Sequence, residues 1–276
     1  MGHARTFWRA YERARGAGGA LVFRMEDLDQ QRSRKEFSEA AIEDLRWLGI
    51  RWQEGPDMEG RYGPYYQSRR RSIYLDAWRR LLRGGFIYPC HCSRKDLSAA
   101  LSAPHEGAEN KHDALDDEPV YPGTCRPQAD APHIAHPEIT EGINWRFRVP
   151  DGEAVAFQDK YLGRVSFVAG RDFGDFLVWR RDGAPSYQLA CVADDAAMRI
   201  TEVVRGADLL KSTARQILLN HALGYPDPDW FHCPLVVDHN GQRLAKRHDA
   251  LSLRTLRQRG ITPMNILSAE LPLAVL

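Results

Sequence analysis

The stretch Met1-Gly2-His3-Ala4-Arg5-Thr6 opens the chain and runs directly into a helical pattern. Small and apolar residues recur at helical spacing from Ala4 to Ala14, and several glycines after residue 15 end the pattern. A Gly-His pair at the start of a helix suits an anion, because free backbone N–H groups and the positive end of the helix dipole both point there. Taken alone, however, the stretch is better explained as an ordinary amphipathic helix.

The composition is that of a globular protein with almost no net charge. The chain has 276 residues, 43% hydrophobic and 27% charged, with a net charge of +1. This length predicts one domain with a sizeable insertion, or two domains, and the charge excludes a globally basic nucleic-acid binder. Neither a membrane span nor a signal peptide is recognisable, so we expect a cytoplasmic protein that does not contact membranes. We also expect it to be a monomer. Five cysteines, an odd number, predict metal or core roles rather than disulfides.

Helix and strand patterns alternate through the first third of the chain. Residues 20–23 form a short apolar run between glycines and acidic residues, which indicates a buried strand of a parallel sheet. Helices are predicted over 35–48, with Phe37 on the inner face, and over 68–82, and residues 86–88 form the next strand. This alternation predicts an α/β fold with a parallel sheet.

The pattern changes after Cys90. Residues 102–118 are polar and broken by proline and glycine, which predicts a loop. Later runs alternate between apolar and polar residues, as antiparallel strands do, and indicate an insertion rich in β-structure. Four parts are therefore predicted: the first half of an α/β domain at 1–88, the insertion at 89–185, the second half at 186–250 and C-terminal helices at 251–276.

Two segments could bind the charged groups of a small substrate. Residues 24–29, R-M-E-D-L-D, follow the first predicted strand at its carboxyl end, where ligands bind in open parallel sheets, and Glu26 could hold an ammonium group. Residues 186–195, S-Y-Q-L-A-C-V-A-D-D, are predicted to form another strand. Arg205 follows a Val-Val pair, where it could grip a carboxylate with two hydrogen bonds. Taken alone, the first segment is better explained as a solvated loop, and the arginine could form a structural ion pair.

The cysteines suggest a metal site. Cys90, Cys92 and Cys125 could bind one zinc ion, although their spacing fits buried unligated cysteines equally well. The fourth ligand could come from any of four residues: His91, His112, His133 or Tyr121. The other two cysteines, Cys191 and Cys233, are predicted to lie in apolar strands of the core.

A basic loop lies near the end of the chain. Residues 241–247, G-Q-R-L-A-K-R, follow a strong turn signal. A lysine on such a loop, here Lys246, could reach nucleotide phosphates and neutralise the charge on leaving pyrophosphate. Without the other motifs, a solvated loop would be the better explanation.

Together these motifs resemble the signatures of class I aminoacyl-tRNA synthetases. Residues 2–5 resemble the second half of the HIGH motif in its glutamyl-type form, and residues 243–247 resemble the KMSKS loop. The resemblance implies that Gly2, His3 and Lys246 bind ATP, with His3 and Lys246 acting as the catalytic residues that stabilise the phosphates. It also implies three glutamate-binding residues: Glu26, Tyr187 and Arg205.

The cysteine pattern narrows this resemblance. Cys-x-Cys followed by Tyr-x-x-x-Cys in the insertion is similar to the pattern of glutamyl-Q tRNA(Asp) synthetases, the short paralogues of glutamyl-tRNA synthetase. The resemblance implies one structural Zn²⁺ held by Cys90, Cys92, Tyr121 and Cys125. It further implies activation of L-glutamate by ATP with Mg²⁺, and transfer of the glutamate to the queuosine at the wobble position of tRNA(Asp).

The sequence departs from the family at both ends and in the basic loop. In the family, a first strand and the first HIGH histidine precede the position of Gly2, so we expect that strand to be missing here through a misassigned start codon or truncation. Arg243 and Ala245 replace a lysine and a serine of KMSKS. The chain also ends soon after Lys246, so no anticodon-binding domain is expected.

Two other functions fit these departures. One is a truncated glutamyl-tRNA synthetase that charges a tRNA 3′ end, and the cysteine–tyrosine pattern speaks against it. The other is a non-catalytic, zinc-containing tRNA-binding remnant. The order and spacing of the motifs favour an enzyme over that remnant.

Overall fold

A computed structural model describes residues 2–29, 33–93, 96, 120–128, 142–235 and 252–268. The described chain divides into two compact units, and it crosses between them more than once. One unit comprises Met1–Arg69, Glu202–Ala207 and Trp230–Leu276, and the other comprises Arg70–Thr201 and Asp208–Asp229. The predicted loop at 102–118 and the basic loop with Lys246 lie outside the described residues.

The first unit is built from helices around one apolar core. Its regular elements are α1 (Gly2–Gly16), α2 (Lys35–Trp47), β6 (Glu202–Gly206), β7 (Asp229–Cys233) and two short helices near the C-terminus, Leu253–Gln258 and Pro263–Leu267. The strands β6 and β7 are neighbours in one sheet. The core joins α1, α2 and the two last helices through Ala4, Leu45, Leu48, Ile50, Trp52, Leu256 and Ile266.

Arginines fix α1 against its neighbours in this unit. Arg13 donates to both carboxylate oxygens of Glu202 at 2.6 and 2.8 Å, and its guanidinium carbon lies 4.2 Å from the centroid of the Phe231 ring. Arg5 donates to the carbonyls of Ile266 and Ser268 at 3.2 and 3.1 Å. The helix that carries the Gly-His pair is therefore held at both of its ends.

The apolar run at 20–23 pairs in parallel, as predicted, but as isolated bridges rather than a continuous strand. Val22 forms a parallel bridge with Glu54, and Met25 forms another with Tyr66. Hydrogen bonds from Met25 N to Tyr65 O and from Gln67 N to Met25 O, at 2.8 and 3.0 Å, hold the segment in place. With helices and parallel pairing both present, the predicted α/β class is confirmed.

The second unit combines helices with antiparallel strands. Its elements are α3 (Arg71–Arg83), β1 (Ile87–Cys90), β2 (Asn144–Phe147), β3 (Ala154–Asp159), β4 (Gly163–Val168), β5 (Phe176–Trp179), α4 (Tyr187–Ala197) and α5 (Leu210–Leu223). The strands β1, β2 and β5 form a sheet with β2 in the centre, and β3 pairs with β4 as a hairpin. The antiparallel pairs of β2 and of β3 with β4 agree with the inserted β-structure predicted from the alternating runs. The strand predicted at 86–88 for the parallel sheet corresponds to β1, which instead pairs antiparallel with β2.

Two further predictions about local structure are wrong. The predicted strand at 186–195 is the helix α4, which begins after Ser186, whose Oγ accepts a hydrogen bond from Leu189 N at 3.3 Å. All residues from Leu189 to Asp194 are buried, so the sequence shows no polar face by which a helix could be recognised. In α2, Phe37 is 61% exposed and the adjacent Ser38 is buried, because the buried face of the helix runs through Ser38 and Leu45.

In the described part of the chain, no helix is both long enough and apolar enough to cross a membrane. The cytoplasmic location and the four-part division of the chain stay predictions.

Candidate active site and metal centre

The Gly-His pair lies in the first turn of α1. His3 is exposed, and its ring centroid is 6.3 Å from that of Phe7. The first N–H groups of a helix have no acceptor within the helix, so this turn has the chemistry to bind an anion. Its predicted partner, Lys246, lies outside the described residues.

The acidic segment after the parallel bridges presents Glu26 to solvent. Asp27 accepts hydrogen bonds from Ser68 N at 2.8 Å and from Ser68 Oγ at 2.6 Å, which ties the segment to the short 3-10 helix Gln67–Arg69. Glu26 is 44% exposed and its Oε1 lies 3.3 Å from Nη2 of Arg24. Asp27 therefore positions the loop, while the neighbouring carboxylate is accessible to a substrate cation.

Arg205 is buried in β6 against two side chains of β7. Its Nε donates to Nε2 of His232 at 3.3 Å, and its guanidinium carbon lies 5.1 Å from the ring centroid of Trp230. His232 is fully buried, and acceptance at Nε2 requires the neutral tautomer with hydrogen on Nδ1. Trp230 and His232 were not predicted from the sequence, because they lie in a fully buried run of β7 that carries no local motif.

Tyr187 is the first residue of α4, where its side chain is 39% exposed. The same helix carries the buried Asp194, whose Oδ1 lies 2.5 Å from Nε of Arg70 and whose Oδ2 accepts from Tyr74 Oη at 2.9 Å. This buried network connects α4 to α3 and its N-terminus. The sequence did not predict the roles of Arg70 and Tyr74, because their partner Asp194 lies more than one hundred residues away along the chain.

The predicted metal ligands converge in the second unit. The sulfurs of Cys90, Cys92 and Cys125 lie within 4.8 Å of one another, and this is the only such group of metal-binding residues in the described ranges. Tyr121 Oη lies 3.5 Å from Cys90 Sγ and 3.7 Å from Cys92 Sγ, and the Cys92 and Cys125 sulfurs are 3.5 Å apart. A tetrahedral zinc ion with Zn–S bonds of ~2.3 Å needs ligand atoms about 3.8 Å apart. The four residues therefore fit zinc.

The fourth ligand position was left open among four residues. Tyr121 is the candidate whose side chain reaches the sulfurs, and its Oη also accepts from Cys125 N at 2.8 Å. His91 contributes through its backbone, which hydrogen-bonds to Cys125. The other two candidates, His112 and His133, lie outside the described residues.

The surroundings of the cluster shift the pKa values of its groups in opposite directions. Burial raises the pKa of the Cys92 thiol and places the pKa of Tyr121 well above its usual range. Burial also acts to raise the pKa of Cys125, but hydrogen bonds from the His91 backbone and from Tyr121 outweigh it, so that pKa is lowered. Metal binding at such a site releases protons. Cys191 and Cys233 are buried, as predicted, although Cys191 lies in a helix rather than a strand.

Comparisons with known proteins agree with these motifs. Residues 1–271 match the family model described as "tRNA synthetases class I (E and Q), catalytic domain". The chain is 47% identical to a protein of Symbiobacterium thermophilum over 96% of this chain and 80% of that one, and 44% identical to one of Nitratidesulfovibrio vulgaris over 96% and 79%. Both relatives are named "Glutamyl-Q tRNA(Asp) synthetase".

Glutamate–tRNA ligases are also similar. The "Glutamate--tRNA ligase 2" of Nitrosococcus oceani is 40% identical over 95% of this chain and 54% of its own length. Among solved structures, glutamate-tRNA synthetase from Elizabethkingia anophelis matches with a TM-score of 0.73 and 28% identity, over 89% of this chain and 50% of that one. The resemblance drawn from the motifs is thereby confirmed: the chain belongs to the catalytic-domain family of class I tRNA synthetases for E and Q, and is an enzyme of the aminoacyl-tRNA synthetase type.

Proposed function

We propose that this chain activates L-glutamate with ATP and Mg²⁺ and transfers it to the queuosine at the wobble position of tRNA(Asp). The observation that carries the proposal is the convergence of Cys90, Cys92, Cys125 and Tyr121, because that set matches the pattern associated with glutamyl-Q tRNA(Asp) synthetases. The names of the relatives at 47% and 44% identity support the same substrate.

In the first half-reaction, an oxygen of the glutamate α-carboxylate attacks the α-phosphorus of ATP. The bond to pyrophosphate breaks, and glutamyl-adenylate forms. We assign the phosphates to Gly2, His3 and Lys246, whose donors and positive charge stabilise the transition state and the leaving group. No side chain becomes covalently attached, so the rate depends on positioning and charge neutralisation.

Three residues hold the amino acid in this proposal. The carboxylate of Glu26 pairs with the ammonium group, and Tyr187 and Arg205 bind the remaining polar groups. His232 and Trp230 position Arg205, since one accepts from its Nε and the other lies beneath its guanidinium. A carboxylate of the substrate then meets an arginine that is already oriented.

In the second half-reaction, a hydroxyl of the queuosine ring attacks the carbonyl carbon of the adenylate. The hydroxyl proton is lost, the bond to the phosphate breaks, and AMP leaves. Cys90, Cys92, Tyr121 and Cys125 would hold one Zn²⁺, which would cross-link the insertion at 89–185. The segments 1–88 and 186–250 form the catalytic domain, followed by the C-terminal helices at 251–276.

A second candidate is a glutamyl-tRNA synthetase that charges a tRNA 3′ end. It is favoured by the 40% identity to a glutamate–tRNA ligase of Nitrosococcus oceani. Both candidates share the first half-reaction and differ in the nucleophile that receives the glutamate.

Glutamate-dependent exchange of labelled pyrophosphate into ATP tests the shared first step. Wild-type chain should catalyse exchange with L-glutamate, with or without added tRNA, and Arg205→Gln should lose most of it. Arg83→Gln is the matched control, because Arg83 is an exposed arginine at the end of α3. If the folded wild-type chain catalyses no exchange, either with tRNA or without it, the proposed activation step is refuted.

A further inference from the structure

Arg146 is a buried cation beside the cysteine cluster. It lies in β2, opposite Tyr88 of β1, and only 5% of its surface is exposed. Its Nε donates to Cys90 Sγ at 3.3 Å, and its guanidinium carbon lies 3.8 Å from the centroid of the Tyr121 ring. One guanidinium therefore contacts two of the four proposed metal ligands.

Nothing in the described part of the chain gives Arg146 a carboxylate partner. Its Nη1 donates to the backbone carbonyl of Asp175 at 2.8 Å. The carboxylate of Asp175 is directed to other groups, since it accepts from Tyr88 Oη at 2.5 Å and Val149 N at 2.8 Å and lies 3.4 Å from Nε of Arg126. Arginine does not lose its proton in proteins, and a buried charge without an opposite charge is costly.

The metal-bound cluster would supply that opposite charge. Three thiolates around one divalent cation leave a net negative charge even when Tyr121 is counted as neutral. The contacts of Arg146 fall on a sulfur that carries part of that charge and on the ring of the fourth proposed ligand.

We propose that Arg146 is the counter-ion of the metal cluster and positions Cys90 and Tyr121 for metal binding. This inference rests on the proposed zinc site. Arg146 acts through the ligands rather than on substrate, so it is a positioning residue. Groups that support metal ligands in this way change metal affinity by about 10–100-fold when they are replaced.

The test compares zinc affinity with the stability of the metal-free protein. Zinc affinity is measured on the full chain by competition with a chromophoric chelator, and thermal unfolding is followed after dialysis against EDTA. Arg146→Met should weaken zinc binding by about 10–100-fold and leave the metal-free unfolding temperature unchanged or higher, because an apolar side chain replaces a buried charge. Arg146→Lys, which keeps the charge, should bind zinc with intermediate affinity.

Arg148→Met is the matched control, because Arg148 lies two residues along the chain and its side chain has no described contact with the cluster. It should bind zinc like the wild type. A metal-free unfolding temperature that falls in both Arg146 variants, with zinc affinity unchanged, would show a merely structural role and overturn the inference. A folded wild-type chain that binds no zinc would instead refute the zinc site itself.

Discussion

Replacing Asp194 by asparagine should destabilise the protein strongly, because it removes the carboxylate that pairs with Arg70 inside the second unit. The two side chains are 0% and 2% exposed, and Nε of Arg70 lies 2.5 Å from Oδ1 of Asp194. The pair also matters for the proposed site, since Asp194 lies in the helix that begins with Tyr187.

The expected magnitude follows from this burial. Breaking a buried ion pair by removing one partner costs about 3–5 kcal/mol. In a protein of this size each kcal/mol shifts the unfolding temperature by roughly 2–4 °C, so the unfolding temperature should fall by about 6–20 °C. Tyr74→Phe removes only one hydrogen bond to the same carboxylate, and should cost about 1–3 kcal/mol.

Thermal unfolding by circular dichroism, supported by urea titration, measures both variants. The decisive comparison is a double-mutant cycle of Arg70→Met, Asp194→Leu and the variant that carries both changes. The double variant removes both charges and should recover much of the stability that either single variant loses. If the two single effects simply add in the double variant, or if Asp194→Asn costs less than about 1 kcal/mol, the ion pair does not stabilise this unit as argued.

Three further predictions concern the substrate, the pH dependence and the metal. Arg205→Lys should raise the KM for glutamate about 10–100-fold, the equivalent of one charge-assisted hydrogen bond, and leave the KM for ATP unchanged in pyrophosphate exchange; equal changes in both would contradict this role. The Arg171 guanidinium holds the pKa of Asp172 below its usual range, so the stability from Asp172 is present at neutral pH and is lost as the pH falls through that lowered pKa. Asp172→Asn should therefore lower the urea midpoint at pH 7 and lower it progressively less as the pH falls through the acidic range, and a loss that does not shrink with falling pH would argue against it. Cys125→Ser should lose the zinc measured by atomic emission while Cys191→Ser, a core control, retains it; the reverse result would remove Cys125 from the ligand set.

Periodic patterns predicted most of the described elements. The helices α2 and α3 and the hairpin strands β3 and β4 were recognisable, because one face of each is more buried than the other. The helix α4 was mistaken for a strand because it is buried on nearly all sides, and a uniformly apolar segment has no period to detect. Phe37 shows the related limit: spacing gives the helix, but tertiary packing decides which face is buried.

The candidate site was predictable where its residues form local motifs. The three cysteines and Tyr121 were predicted together from spacing and family resemblance, and the structure brings them together. Arg146 was not predictable, because its contact with Cys90 joins positions 56 residues apart and no local pattern marks it. His232 beside Arg205 was missed for the same reason, at a separation of 27 residues.

The most direct test of the proposed function is the location of labelled glutamate on tRNA. The full chain is incubated with ATP, Mg²⁺, labelled L-glutamate and tRNA(Asp) with or without queuosine, and the product is cut with a base-specific nuclease. We predict label in the anticodon fragment, and only when queuosine is present. Label in the 3′-terminal fragment would contradict the proposal and identify a 3′-charging enzyme. Equal labelling of tRNA that lacks queuosine would also contradict the proposal.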